Sequence, residues 1–66
     1  MEIQLNGSAY QLADAQSLSG LITELNLVQQ AIAVAVNRQI VPRAEWATHV
    51  LQEADKVDVV RAIGGG

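Results

Sequence analysis

The sequence predicts a two-layer α+β fold, a sheet whose apolar face is covered by one main helix. Three patterns carry this expectation. Apolar residues alternate near both ends of the chain, Met1, Ile3 and Leu5 at the start, Val57 and Val59 towards the finish. A third alternating run, Ile32, Val34 and Val36, lies in the middle. Before it, Leu18, Leu21, Ile22 and Leu25 recur at i, i+3, i+4 and i+7, the stripe of an amphipathic helix. At 66 residues the chain has room for one domain with a small core.

Each element has a local reason. Asn6-Gly7 follows the first strand and tolerates the positive φ angles of a tight hairpin. The return strand is expected from Ser8 to Ala13, with Tyr10 and Leu12 facing the same way as Ile3 and Leu5. At Asp14-Ala15-Gln16-Ser17 the period changes, and Ser17 is suited to cap the helix by accepting from an early backbone N–H. Gly20 costs that helix about 1 kcal/mol relative to alanine. No Glu or Gln completes a capping box, and the helix is expected to end near Asn26.

The third strand turns Ile32, Val34 and Val36 towards the helix and leaves Ala31, Ala33 and Ala35 on its other side. Asn37 opens a turn. Ile40-Val41 is extended because the residue before Pro42 is driven out of the helical region. Arg43 to Leu51 reads as one or two helical turns with Trp46 and Val50 at i, i+4. The last strand carries Val57 and Val59 on one face and Asp58 and Val60 on the other. A mixed sheet of four to five strands results.

Composition excludes several functions. The chain has no cysteine, hence no disulfide, thiol nucleophile or thiolate ligand. Its net charge is −3, its four basic residues are scattered, and Tyr10 and Trp46 are its only aromatic residues, which argues against nucleic acid. No run approaches the ~18 apolar residues of a membrane span, and the first residues lack the pattern of a signal peptide. A cytoplasmic protein is expected. His49 has no second His or Cys nearby, so no metal site is expected.

Gly64-Gly65-Gly66 follows the last strand directly. Glycine adds no packing and loses the most backbone entropy when fixed, so these residues do nothing for stability. The division expected is a folded body, 1–63, and a flexible glycine tail, 64–66. Three extended residues reach about 10 Å, enough to thread a carboxylate into a narrow active site.

A strand-rich body that runs into a glycine tail resembles ubiquitin and the bacterial sulfur carriers, the β-grasp fold. The likeness narrows at Val36-Asn37-Arg38-Gln39-Ile40-Val41-Pro42-Arg43-Ala44-Glu45-Trp46. An Asn after the third strand, then Val-Pro-Arg and a Trp three residues on, looks like the sulfur carriers of the thiamine pathway, the ThiS family. The likeness covers the whole chain. Two departures stand out: Ala54-Asp55 replaces the Gly-Asp usual before the last strand, and the tail has a third glycine, Gly64, which lengthens the arm.

The resemblance implies a co-substrate, not an enzyme. It binds no cofactor itself; a partner related to ubiquitin-activating enzymes, an adenylyltransferase, consumes ATP to adenylate Gly66. Sulfur from a persulfide enzyme then replaces AMP, and the resulting thiocarboxylate is used by thiazole synthase. Gly65 and Gly66 correspond to the family's terminal pair. Two other readings share the fold: the small subunit of molybdopterin synthase, whose tail is often preceded by prolines where this chain has Ala62-Ile63, and a ubiquitin-like modifier joined to lysines.

Among other residues, Pro42 and Trp46 are expected to be structural and Arg43 to pair with a local carboxylate such as Glu45. Asp55 and Asp58 are expected to be solvated. The outward row of Ala33 and Ala35 with Val60 and Ala62 is the candidate docking surface, small apolar groups on the open face of a sheet.

Overall fold

The computed structural model describes residues 1–61. Five strands, β1 (Glu2–Leu5), β2 (Ser8–Gln11), β3 (Ile32–Val36), β4 (Gln39–Ile40) and β5 (Lys56–Arg61), form one sheet in the order β2-β1-β5-β3-β4. β5 runs parallel to β1 and antiparallel to β3, so the sheet is mixed. One helix, α1 (Leu18–Glu24), covers it, and a 3₁₀ turn spans Arg43–Glu45. This is the expected α+β, β-grasp arrangement. The boundary expected at residue 63 lies outside the described residues, as do Ala62 and Gly64 to Gly66.

The β1–β2 hairpin closes as expected through Asn6 and Gly7, at φ of 50° and 84°. β2 is shorter than predicted and ends at Gln11. Leu12 still enters the core, its N–H donating to Met1 O at 2.8 Å. In α1 the Ser17 hydroxyl accepts from Gly20 N at 3.0 Å, the predicted cap. A Cβ on Gly20 would lie 3.1 Å from Gln16 Cγ, so glycine leaves room for the Gln16 side chain. Leu18, Leu21 and Ile22 are fully buried, and the helix gives way at Leu25 and Asn26, where φ turns to 62°.

Those three residues pack on Ile3, Val34 and Val57, one from each of the three central strands. Burying a large aliphatic side chain contributes about 1.5–3 kcal/mol. These few residues therefore hold the two layers together.

The segment from Arg43 differs from expectation. Its backbone bonds are mainly of the tight i→i−3 kind: Glu45 N to Pro42 O at 2.8 Å, Trp46 N to Arg43 O at 3.1 Å and Thr48 N to Glu45 O at 3.2 Å. The chain then straightens, and Val50 forms an antiparallel bridge with Ser17 while Leu51 N donates to Gln16 O at 2.9 Å. Trp46 is buried but Val50 is exposed, so they share no buried face. Leu51 enters the core instead. Backbone pairing with the entry to α1 overrides the helical spacing.

The turn before β5 is also more built than predicted. Asp55 is not merely solvated: its Oδ2 accepts from Gln52 N at 2.9 Å and its Oδ1 from Asn37 Nδ2 at 3.0 Å. Asn37 Oδ1 in turn accepts from Lys56 N at 3.0 Å. Ala54, which stands where the resembled family carries glycine, sits at φ 70°. The left-handed region costs an L-residue about 1–2 kcal/mol, partly offset in glycine by its greater entropy loss. Ala54→Gly should therefore raise stability by roughly 0.5–1 kcal/mol, read as a higher urea midpoint. An unchanged or lower midpoint would contradict the strain assigned to this turn.

Candidate functional site

The face of the sheet opposite α1 is divided in character. On its β2–β1 side, Gln11 Nε2 donates to Glu2 Oε1 at 2.9 Å, and Gln4 pairs in register with Lys56. That half is polar. On the β5–β3–β4 side, Ala33 lies opposite Val60, and Ala35 lies between Asp58 on β5 and Ile40 on β4. Alternation explains the arrangement: Val34, Val36 and Val57 point into the core, so their neighbours point out.

The alanines are short and lie low between strands. Val60, 62% exposed, and Ile40, 70% exposed, stand above them. The structure thus brings together Ala33, Ala35 and Val60, as the sequence pattern predicted, while Ala62 lies outside the described residues. Ile40 was missed. The signal was present: with Val41 buried, its extended neighbour must face outward. What makes it part of this face is the β3–β4 hairpin, whose turn at Asn37 and Arg38 has φ of 51° and 70°. Two consecutive positive φ angles suit a two-residue hairpin, and here glycine is absent from both positions.

Asp58 is the acidic group beside this apolar half, exposed as expected. β5 carries the chain past Val60 to Arg61, so the apolar face adjoins the C-terminal end of that strand.

Arg43 belongs elsewhere. Its Nη1 donates to Val28 O and its Nη2 to Gln30 O, each at 3.1 Å, and its guanidinium stacks 4.7 Å from the centre of the Trp46 ring. Trp46 Nε1 donates to Val41 O at 2.9 Å. Arg43 therefore fastens the loop between α1 and β3, and the expected pair with Glu45 does not form among the described residues. The fork reaches two loop carbonyls at once, and an exposed ion pair with Glu45 would contribute little in its place. Trp46 is buried in the core, and Pro42 opens the 3₁₀ turn at φ −60°.

His49 lines a shallow groove with Asn37, Gln52 and Asp55. The described residues contain no group of three or more His, Cys, Asp or Glu placed to hold a metal, and no helix among them is long and apolar enough to cross a membrane.

Residues 3–66 match the model of the ThiS family. The chain belongs to that family. It is 39% identical over 66 residues to the sulfur carrier protein ThiS of Escherichia coli K12, with both chains covered completely. It is also 38% identical over its whole length to a thiazole synthase of Magnetococcus marinus, of which it spans 20%. A second thiazole synthase, from Paramagnetospirillum magneticum, matches at 30% identity over a similar fifth of its length. Among solved structures, the thiamine biosynthesis protein ThiS of Geobacter metallireducens superposes with a TM-score of 0.87 over all of both chains, at 22% identity. That likeness establishes the shared β-grasp fold.

If the apolar half-face is a surface for binding and not for folding, charge is tolerated there. Ile40→Glu and Val60→Glu should each change stability by less than about 1 kcal/mol, whereas Val57→Glu on the buried face of the same strand should prevent folding. Thermal unfolding followed by circular dichroism tests this; a collapse in either of the first two variants would make the face structural.

Proposed function

We propose that this chain is the sulfur carrier of thiamine biosynthesis and that the carboxylate of Gly66 bears the sulfur. The observation that carries the reading is the end-to-end match to the ThiS family, with 39% identity to the E. coli carrier. The same match favours a thiamine carrier over the small subunit of molybdopterin synthase and over a ubiquitin-like modifier.

The chemistry follows from the terminal group. A C-terminal carboxylate has a pKa of about 3.5 and is ionised at neutral pH, so its charge repels nucleophiles. An adenylyltransferase joins it to AMP from ATP with release of pyrophosphate, which neutralises the charge and supplies a leaving group. A persulfide sulfur attacks the acyl carbon and AMP departs. A second thiol then reduces the sulfur–sulfur bond and leaves the thiocarboxylate. The chain itself contributes presentation, and catalysis belongs to the enzymes around it. A cytoplasmic location, where ATP is at hand, is part of this reading.

Thiazole synthase is the acceptor of the sulfur in this reading. Its support is that two proteins bearing that name contain a segment equivalent to this entire chain. The apolar half-face around Val60 and Ile40 is the docking surface for the adenylyltransferase. Exposed small and branched apolar groups suit a partner that must bind and then release.

Two tests separate tail from body. Gly65→Val and Gly66→Val should fold normally yet abolish ATP–pyrophosphate exchange, because a side chain there obstructs the channel to the adenylation site; an unchanged exchange rate refutes the assignment of Gly66. Val60→Glu should weaken the complex with the adenylyltransferase about tenfold by calorimetry while leaving thermal unfolding unaltered. Undiminished binding would move the docking surface elsewhere. Intact mass spectrometry of the protein from cells should find one oxygen replaced by sulfur.

A further inference from the structure

At the end of β5 a groove of about 290 Å³ opens on the helix side of the sheet. Its floor is apolar, formed by Leu5 of β1, Leu25 and Leu27 after α1, Ile32 of β3 and Val59 of β5. The polar lining is Asn6 and Arg61. Their chemistry is one-sided. A guanidinium offers five N–H donors and no acceptor. Asn6 spends its amide oxygen on Val59 N, at 2.8 Å, and its NH₂ has no acceptor among the described residues. Among the described residues no carboxylate lines the groove, and no acidic residue lies within ion-pair distance of Arg61.

An occupant that satisfies this site brings apolar carbon to the floor and an acceptor, best an anionic one, to the rim. The volume is near the lower end of the ~300–1,000 Å³ typical of small-ligand pockets, a size for one or two side chains. We propose that the groove receives a segment of the adenylating partner in which an apolar side chain stands next to a carboxylate, the former seated on Leu25, Leu27 and Val59, the latter paired with Arg61. This rests on the sulfur-carrier reading above and adds a second grip to it.

Placement gives the grip its purpose. Val60 and Arg61 are consecutive in a strand and so project from opposite faces of the sheet. A partner that holds the open face through Val60 and the groove through Arg61 clasps the base of the tail from both sides. Fixing the base limits the directions in which the arm can leave, and so raises the effective concentration of the terminal carboxylate at the ATP site.

The test uses the full chain with labelled Leu, Ile and Val methyl groups and the unlabelled adenylyltransferase from the same organism. Methyl resonances of Leu25, Leu27, Ile32 and Val59 should broaden on complex formation, and Arg61→Glu should weaken binding about tenfold without lowering the melting temperature. If the Ile40 and Val60 methyls respond while those of the groove do not, and Arg61→Glu binds normally, the groove proposal fails and the carrier reading stands. If no methyl responds and Gly66 is never adenylated, the carrier reading fails. If the free protein shows nuclear Overhauser contacts between residues 62–66 and the groove methyls, the chain's own terminus occupies the site and the proposal is overturned.

Discussion

β5 is gripped along both edges, and the rest of the molecule depends on that grip. On one side it pairs with β3 through the register Val36–Val57 to Ile32–Arg61. On the other, Gln4 N donates to Asp55 O and Asn6 N to Val57 O, each at 2.9 Å. Asn6 extends this edge beyond the ladder by accepting from Val59 N. Below, Val57 is wholly buried against α1. The strand that holds the two halves of the sheet together is also the last described element, directly before residues 62–66. Stability of the sheet and placement of the end of β5 are therefore one property.

The remaining elements serve this arrangement with polar fastenings instead of added core. Asn37 and Asp55 bind the β3–β4 turn to the start of β5, and Arg43 with Trp46 binds the loop between α1 and β3. A domain this short buries a smaller fraction of its surface than a large one, so loops cannot all be anchored by apolar contacts. Hydrogen bonds to otherwise unpaired backbone groups do the anchoring, each worth about 0.5–1.5 kcal/mol net.

Much of this was legible in the chain. Alternation in β1, β3 and β5, the Asn6-Gly7 turn and the Ser17 cap are local signals, and local signals survive folding when the core agrees with them. The alanine row opposite Val60 followed from alternation alone. What was hidden depended on partners distant in sequence. Trp46 and Val50 have helical spacing, yet the pairing of Val50 with Ser17 decides the segment. Arg43 chose carbonyls of the α1–β3 loop over nearby Glu45, and Asp55 became a turn fastener through Asn37, 18 residues away. Ile40 joined the open face because a hairpin without glycine brought β4 alongside β3.

The double pairing of β5 has a mechanical consequence. A pull on the chain beyond Arg61 acts along the axis of the strand, so the ladders to β1 and β3 are loaded lengthwise and together. Bonds loaded in parallel share the load, whereas an edge strand peeled sideways would yield them one at a time. A load applied at the end of β5 is thus resisted by two ladders at once, so the body withstands a pull along that strand without unravelling.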